Sequence, residues 1–463
     1  MKSFYKYIFI FLLLINCQAE EEYTEILTAE ENEEYSGGDA TVFDISENAF
    51  GFQAPNLLNQ EQLEFFVGNS LFNLNWVVSP SSTTARDGLG PLFNSRSCSG
   101  CHFKDGRGRP PIYSGELSHG LLLRLSIDED SKGKPLGDLI YKGQLQDQSI
   151  PNIATEGGFD VSYEEINGTF DDGTSYTLYK PTYTFTGLNY GALDSQIKVS
   201  PRIANHMSGL GLLDAIPNEI ILSNTDEFDS NNDGISGKAN YVWNVEENKL
   251  TLGKFGWKAN QPSIKQQVAG AFNGDMGITT SLFPDENCPP NVNCDDIANG
   301  GSPELPDDDF EKVVLYSSSL AVPARRDWED QDVLQGKKLF EENKCNACHI
   351  QTYTTGTHPT LTAMSNQIIH PYTDLLLHDM GDDLSDNRTD FLATGNEWRT
   401  PPLWGIGLIE TVNGHTNFLH DGRAQSLEEA ILWHGGEAER AKNNFKSLNI
   451  TERNQLIKFL ESL

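Results

Sequence analysis

Basic residues are scarce in this chain: its 463 residues hold 33 Lys and Arg against 67 Asp and Glu, a formal charge of −34. A surface that acidic repels nucleic acid and anionic lipid, so no nucleic-acid partner is expected and a cationic or neutral one is favoured. Long apolar runs are missing as well. Beyond the N-terminus nothing reaches the roughly eighteen consecutive apolar residues of a spanning helix, which excludes an integral helical membrane protein. Cysteine is sparse, seven in all, yet every copy falls into a recognisable chemical class. Against these shortages stand 41 Gly and 21 Pro, which call for many loops.

Lys2 and Lys6 precede an apolar run over 8–15, too short to span a bilayer and suited to a signal peptide. The run ends in Leu14-Ile15-Asn16-Cys17, which resembles the lipobox of bacterial lipoproteins, although Asn16 departs from the usual small residue. Residues 1–17 are therefore expected to be a signal peptide. The mature chain would be an exported, periplasmic or outer-membrane lipoprotein, held to the membrane only by lipid on Cys17. Residues 18–60 carry a cluster of Glu with few apolar positions and read as a flexible acidic tether.

Four of the remaining cysteines form two copies of C-x-x-C-H, Cys98-Ser99-Gly100-Cys101-His102 and Cys345-Asn346-Ala347-Cys348-His349. Two thiols three positions apart can form thioethers with the vinyl groups of haem, and the following His then ligates the iron. A zinc knuckle would need a fourth nearby ligand that neither copy has. A thioredoxin-type pair would need no adjacent His. Two covalently bound haem c groups are thus expected, with His102 and His349 as iron ligands. The last pair, Cys288 and Cys294, reads as a short-loop disulfide in an oxidising compartment.

The two motifs lie in related contexts. Gly68-Asn69-Ser70-Leu71-Phe72 before the first and Gly336-Lys337-Lys338-Leu339-Phe340 before the second share a G-x-x-L-F spacing. On a helix this puts a small residue and an aromatic on one face, where another helix can approach closely. Ser426-Leu427-Glu428-Glu429 is a helix start, and 451–463 shows one apolar stripe. Residues 119–127, 139–145 and 176–190 alternate apolar and polar positions in the manner of strands. The expected fold is mainly α, with two cytochrome c-like haem domains over 61–330 and 331–463. An antiparallel β insertion over about 115–195 is placed in the N-terminal one.

Several stretches carry a family resemblance. Gly88-Leu89-Gly90-Pro91-Leu92-Phe93-Asn94 and Asp105-Gly106-Arg107-Gly108-Arg109-Pro110-Pro111 flank the first motif. Gly209-Leu210-Gly211-Leu212-Leu213-Asp214, Trp398-Arg399-Thr400-Pro401-Pro402-Leu403-Trp404 and Phe418-Leu419-His420-Asp421-Gly422-Arg423 follow. Together they resemble bacterial di-haem oxidoreductases of the peroxidase and thiol-oxidoreductase kind, and more distantly the di-haem cytochrome c peroxidases. The resemblance implies one haem that accepts electrons from a small donor protein, of cytochrome or cupredoxin type, and another that cleaves hydrogen peroxide. The competing functions are a thiol- or protein-oxidising di-haem enzyme and a pure electron-transfer cytochrome.

Distal ligands are less marked. In the peroxidase relatives a His follows the first motif, which points to His119. A Met or Tyr follows an Arg near the second, but here Thr389 follows Arg388. Met380 is the candidate that remains, with Met364 and His378 as alternatives. Glu116 is the candidate acid/base group. Trp76, Trp398, Trp404 and Trp433 are available as electron relays, although a core aromatic is the commoner explanation for each. The run 229–237, with oxygen side chains at alternate positions and then Gly, resembles half of a calcium loop or a plain Asx turn.

Overall fold

In the computed structural model, which describes residues 26–117, 120–288, 290 and 292–463, Gly68 and Gly336 each mark a tight helix crossing. A Cβ on Gly68 would stand 2.1 Å from the Lys312 carbonyl, and one on Gly336 would stand 2.0 Å from the Gln455 carbonyl. The helix Asn59–Asn73 therefore packs on Asp307–Ser319, and Gln331–Glu342 packs on Ile450–Ser462. The aromatic partner of each glycine packs between the crossing helix and a motif histidine: Phe72 lies 5.1 Å from the Tyr316 ring and Phe340 lies 5.2 Å from the Phe459 ring. Phe72 lies 6.2 Å from the His102 ring, and Phe340 lies 6.1 Å from the His349 ring.

These two helix pairs are not the bulk of the molecule. Helix makes up 29% and strand 19%, and the strands form many small sheets, so the expectation of a mainly α fold built from two cytochrome c-like domains is corrected. Eight two-stranded sheets occur among the described residues. The longest is the antiparallel hairpin Gly158–Thr169 with Ser175–Thr186. Another pairs Leu121–Ser126 with Lys198–Ile203 in antiparallel register. One pair is parallel, Thr41–Val42 against Val322–Pro323, and it ties the N-terminal segment to the middle of the chain.

The packing also ignores the boundary expected at 330. One core cluster joins Phe65, Phe72 and Tyr316 to Met364, Leu375 and Trp404, and the other joins Phe50 and Trp257 to Phe340, Phe459 and Trp433. The described part of the acidic segment, 26–60, is not a free tether. Ala40, Ala49, Phe50 and Ala54 are fully buried, and Glu33 meets Arg325 at 2.5 Å and Lys337 at 2.6 Å. A few small apolar residues and a doubly paired buried carboxylate are enough to order it. Cys288 and Cys294 are joined as a disulfide. Cys17 and the run 8–15 lie outside the described residues, within which no helix is long and apolar enough to cross a membrane.

Candidate active site: one cavity with two C-x-x-C-H edges

Both motifs fold as the same one-turn device. The amide of Cys101 and that of His102 donate to the Cys98 carbonyl, and the amides of Cys348 and His349 donate to the Cys345 carbonyl. This brings the two thiols and the imidazole of each motif to one wall. All six residues line a single cavity of about 720 Å³. The four thiols are not in disulfides, and burial raises Cys101 and Cys345 to about 12, so they stay protonated and neutral.

The imidazoles are oriented by backbone. His102 Nδ1 donates to the Asn205 carbonyl at 2.6 Å, and His349 Nδ1 donates to the Tyr372 carbonyl at 2.9 Å. A carbonyl can only accept, so each ring is fixed in the tautomer whose Nε2 carries a free lone pair. Burial lowers the pKa of both, that of His349 to about 4, which keeps them neutral as iron ligation requires. Paired thiols, an oriented neutral imidazole and a largely apolar cavity suit a haem at each edge.

The structure redistributes the other candidates. Glu116 is absent from the cavity lining. Its carboxylate takes both prongs of Arg109, at 2.7 and 3.1 Å, and the Ile112 amide at 2.7 Å. A bidentate arginine pair leaves little capacity for proton transfer. The carboxylate on the cavity near the first motif is Asp275, whose charge acts on Cys98, Cys101 and His102. It sits at the end of the helix Ile264–Met276, which also turns Gln267 to the cavity.

His119 lies outside the described residues. Met364 is fully buried in the core and away from the cavity, whereas Met380 lines it. His378 also lines the cavity, with both ring nitrogens paired to carboxylates. Its Nδ1 meets Glu437 at 2.7 Å and its Nε2 meets Asp374 at 2.7 Å. Carboxylates accept at both nitrogens, so the ring is an imidazolium. Burial is the largest single effect and opposes that charge, but Asp374 and Cys348 together outweigh it and hold the pKa well above the usual value.

Two histidines were not singled out by sequence. His434 lines the cavity near enough to His349 to depress its protonation, and its Nδ1 donates to the Ala430 carbonyl at 2.6 Å. Ser426 caps the helix Leu427–Leu432, and that helix places His434 just beyond its C-terminal end. His206 lines the cavity beside His102, its Nδ1 buried without a hydrogen bond. Of the four proposed relay tryptophans only Trp398 reaches the cavity, stacked at 3.7 Å on His420. Trp257, also unforeseen, reaches it too, under the Arg107 guanidinium at 5.2 Å. In the loop 229–237 the side chain of Asn231 accepts from the Asp233 amide and that of Asp233 from the Ile235 amide, as in Asx turns, while the Asp229 carboxylate accepts from the Gly234 amide five residues on.

Two C-x-x-C-H edges on one cavity, with aromatic rings in its wall, fit a two-centre redox protein. The chain belongs to the family described as "Di-haem oxidoreductase, putative peroxidase", whose model matches residues 31–133 and 136–463. No curated protein and no solved structure matches the chain.

Proposed function

We propose that this oxidoreductase holds one covalently attached haem on each C-x-x-C-H motif and reduces hydrogen peroxide with electrons from a small donor protein. The observation that carries the reading is the difference between the two edges. The His349 edge has a second oriented imidazole, His434, beside it, which suits an iron with two permanent ligands. The His102 edge has the carboxylate of Asp275 and, in His206, an imidazole whose Nδ1 no backbone carbonyl among the described residues orients, which suits an iron that must leave room for peroxide.

When bound, the two haem groups supply the two electrons that split the O–O bond. Overall, hydrogen peroxide, two electrons and two protons give two waters. Gln144 Nε2 donates to Asp275 Oδ1 at 3.0 Å, which orients the carboxylate and leaves Oδ2 to move protons. Asp275 takes the proton from the oxygen being bound and returns it to the oxygen that departs as water. His102 and His349 hold their rings through Asn205 and Tyr372, so neither turns during the cycle. Export and attachment through lipid on Cys17 belong to the same proposal.

The test is steady-state oxidation of a reduced donor cytochrome by peroxide, with EPR of the resting and half-reduced protein. The reading expects turnover that cyanide abolishes and a high-spin signal at one haem. Two haems that stay low-spin in every redox state, without turnover, would establish an electron carrier instead. High-spin iron that ignores peroxide would favour a thiol- or protein-oxidising enzyme.

A further inference from the structure

The wall of the cavity carries more positive charge than its own carboxylates neutralise. Arg202 and Arg388 converge on a single oxygen, Asp390 Oδ2, at 2.9 and 2.8 Å. Lys258 is fully buried and pairs with Asp386 Oδ1 at 3.0 Å, while Ser200 Oγ donates to the other oxygen of Asp386. Arg124 is electrostatically joined to the same group. Among the described residues its guanidinium makes no side-chain hydrogen bond and only a 3.9 Å approach to Asp275. Four cations thus face three carboxylates, and one of those carboxylates stands at the margin.

The unmet capacity points into the cavity. Arg124, Arg202 and Arg388 all line it, whereas Asp386 and Asp390 do not. Arg388 is 6% exposed, and its Nε is buried without a hydrogen bond. A buried guanidinium stays charged, so its unused donors need an anion, and the planar fork matches a carboxylate.

We propose that Arg124, Arg202 and Arg388 form a carboxylate-binding site inside the cavity. The carboxylate has two sources: a propionate of an attached haem, a case that rests on the two-haem reading, or a small diffusing carboxylate.

The test uses the full holoprotein, as wild type and as Arg124→Gln and Arg124→Lys. Arg124 is chosen because its loss breaks no hydrogen bond that holds the fold; Arg388→Lys serves as a second site. A propionate occupant predicts that Arg124→Gln shifts the propionate bending modes in resonance Raman and lowers a haem reduction potential. Arg124→Lys would keep the potential but move the modes, and acetate would leave the wild type unchanged. A diffusing occupant predicts a saturable acetate-dependent change in the wild-type haem spectrum, weakened about tenfold or more in Arg124→Gln, with propionate modes unmoved. Unaltered modes, potentials and acetate response in all variants would overturn the site. A pyridine haemochrome count below two per chain would refute the two-haem reading instead. Calorimetric acetate binding, lost in Arg124→Gln, would then still decide the site.

Discussion

His349 and His434 carry the same restraint: each donates its Nδ1 proton to a backbone carbonyl, of Tyr372 at 2.9 Å and of Ala430 at 2.6 Å, and both face one cavity. Each therefore offers a neutral Nε2. On the proposed reading the second haem takes both, and His434→Ala converts it from low-spin to high-spin without loss of haem. EPR and the optical charge-transfer region check this. A low-spin signal that persists in the variant would show that another group, such as Met380 on the same cavity, fills that position.

Asp275→Asn keeps the shape of the side chain and removes the base. Peroxide turnover is expected to fall about 10²–10⁴-fold, the usual span for general acid–base catalysis, with two haems still attached. Glu116→Gln is expected to leave turnover near that of wild type, because its carboxylate is committed to Arg109 away from the cavity. Equal losses in the two variants would count against the assignment.

His378→Asn removes the cation that Asp374 and Glu437 share. Asp374 is 2% exposed and His378 3%, and breaking a buried pair by deleting one partner costs about 3–5 kcal/mol. Denaturant unfolding of the purified holoprotein measures this. A change below about 1 kcal/mol, the worth of an exposed pair, would mean that the imidazolium is not held as described.

Glu156 gives the stability a pH dependence with a definite sign. Burial raises its pKa from 4.5 to about 8, against the lowering effect of the Gln146 amide. A raised folded-state pKa means that the folded chain binds the extra proton. This contribution is complete below about pH 4.5 and is lost as pH rises through about 8. Thermal unfolding between pH 5 and 9 should show a smaller alkaline decline in Glu156→Gln than in wild type. Parallel pH profiles for the two proteins would contradict it.

Local chemistry was legible in the sequence, and long-range assembly was not. The C-x-x-C-H motifs, the G-x-x-L-F helices at Gly68 and Gly336 and the Cys288–Cys294 loop each declare themselves within a few residues. Asp275, His434 and Trp257 reach the cavity from segments far from the motifs, and a lone Asp, His or Trp has no spacing that marks it. The α-rich expectation failed because strands such as Thr41–Val42 and Val322–Pro323 are too short for any periodicity to show. The tether over 18–60 was inferred from charge, which hid the burial of Phe50 and the pairing of Glu33 by Arg325 and Lys337.

The most direct measurement is an anaerobic peroxide titration of the fully reduced holoprotein, followed in the haem absorption bands. One peroxide accepts two electrons and each haem releases one, so one equivalent of peroxide per chain should oxidise both haems. His349→Ala should leave electron delivery from the second haem impaired. Haems that remain reduced after several equivalents of peroxide would contradict the account.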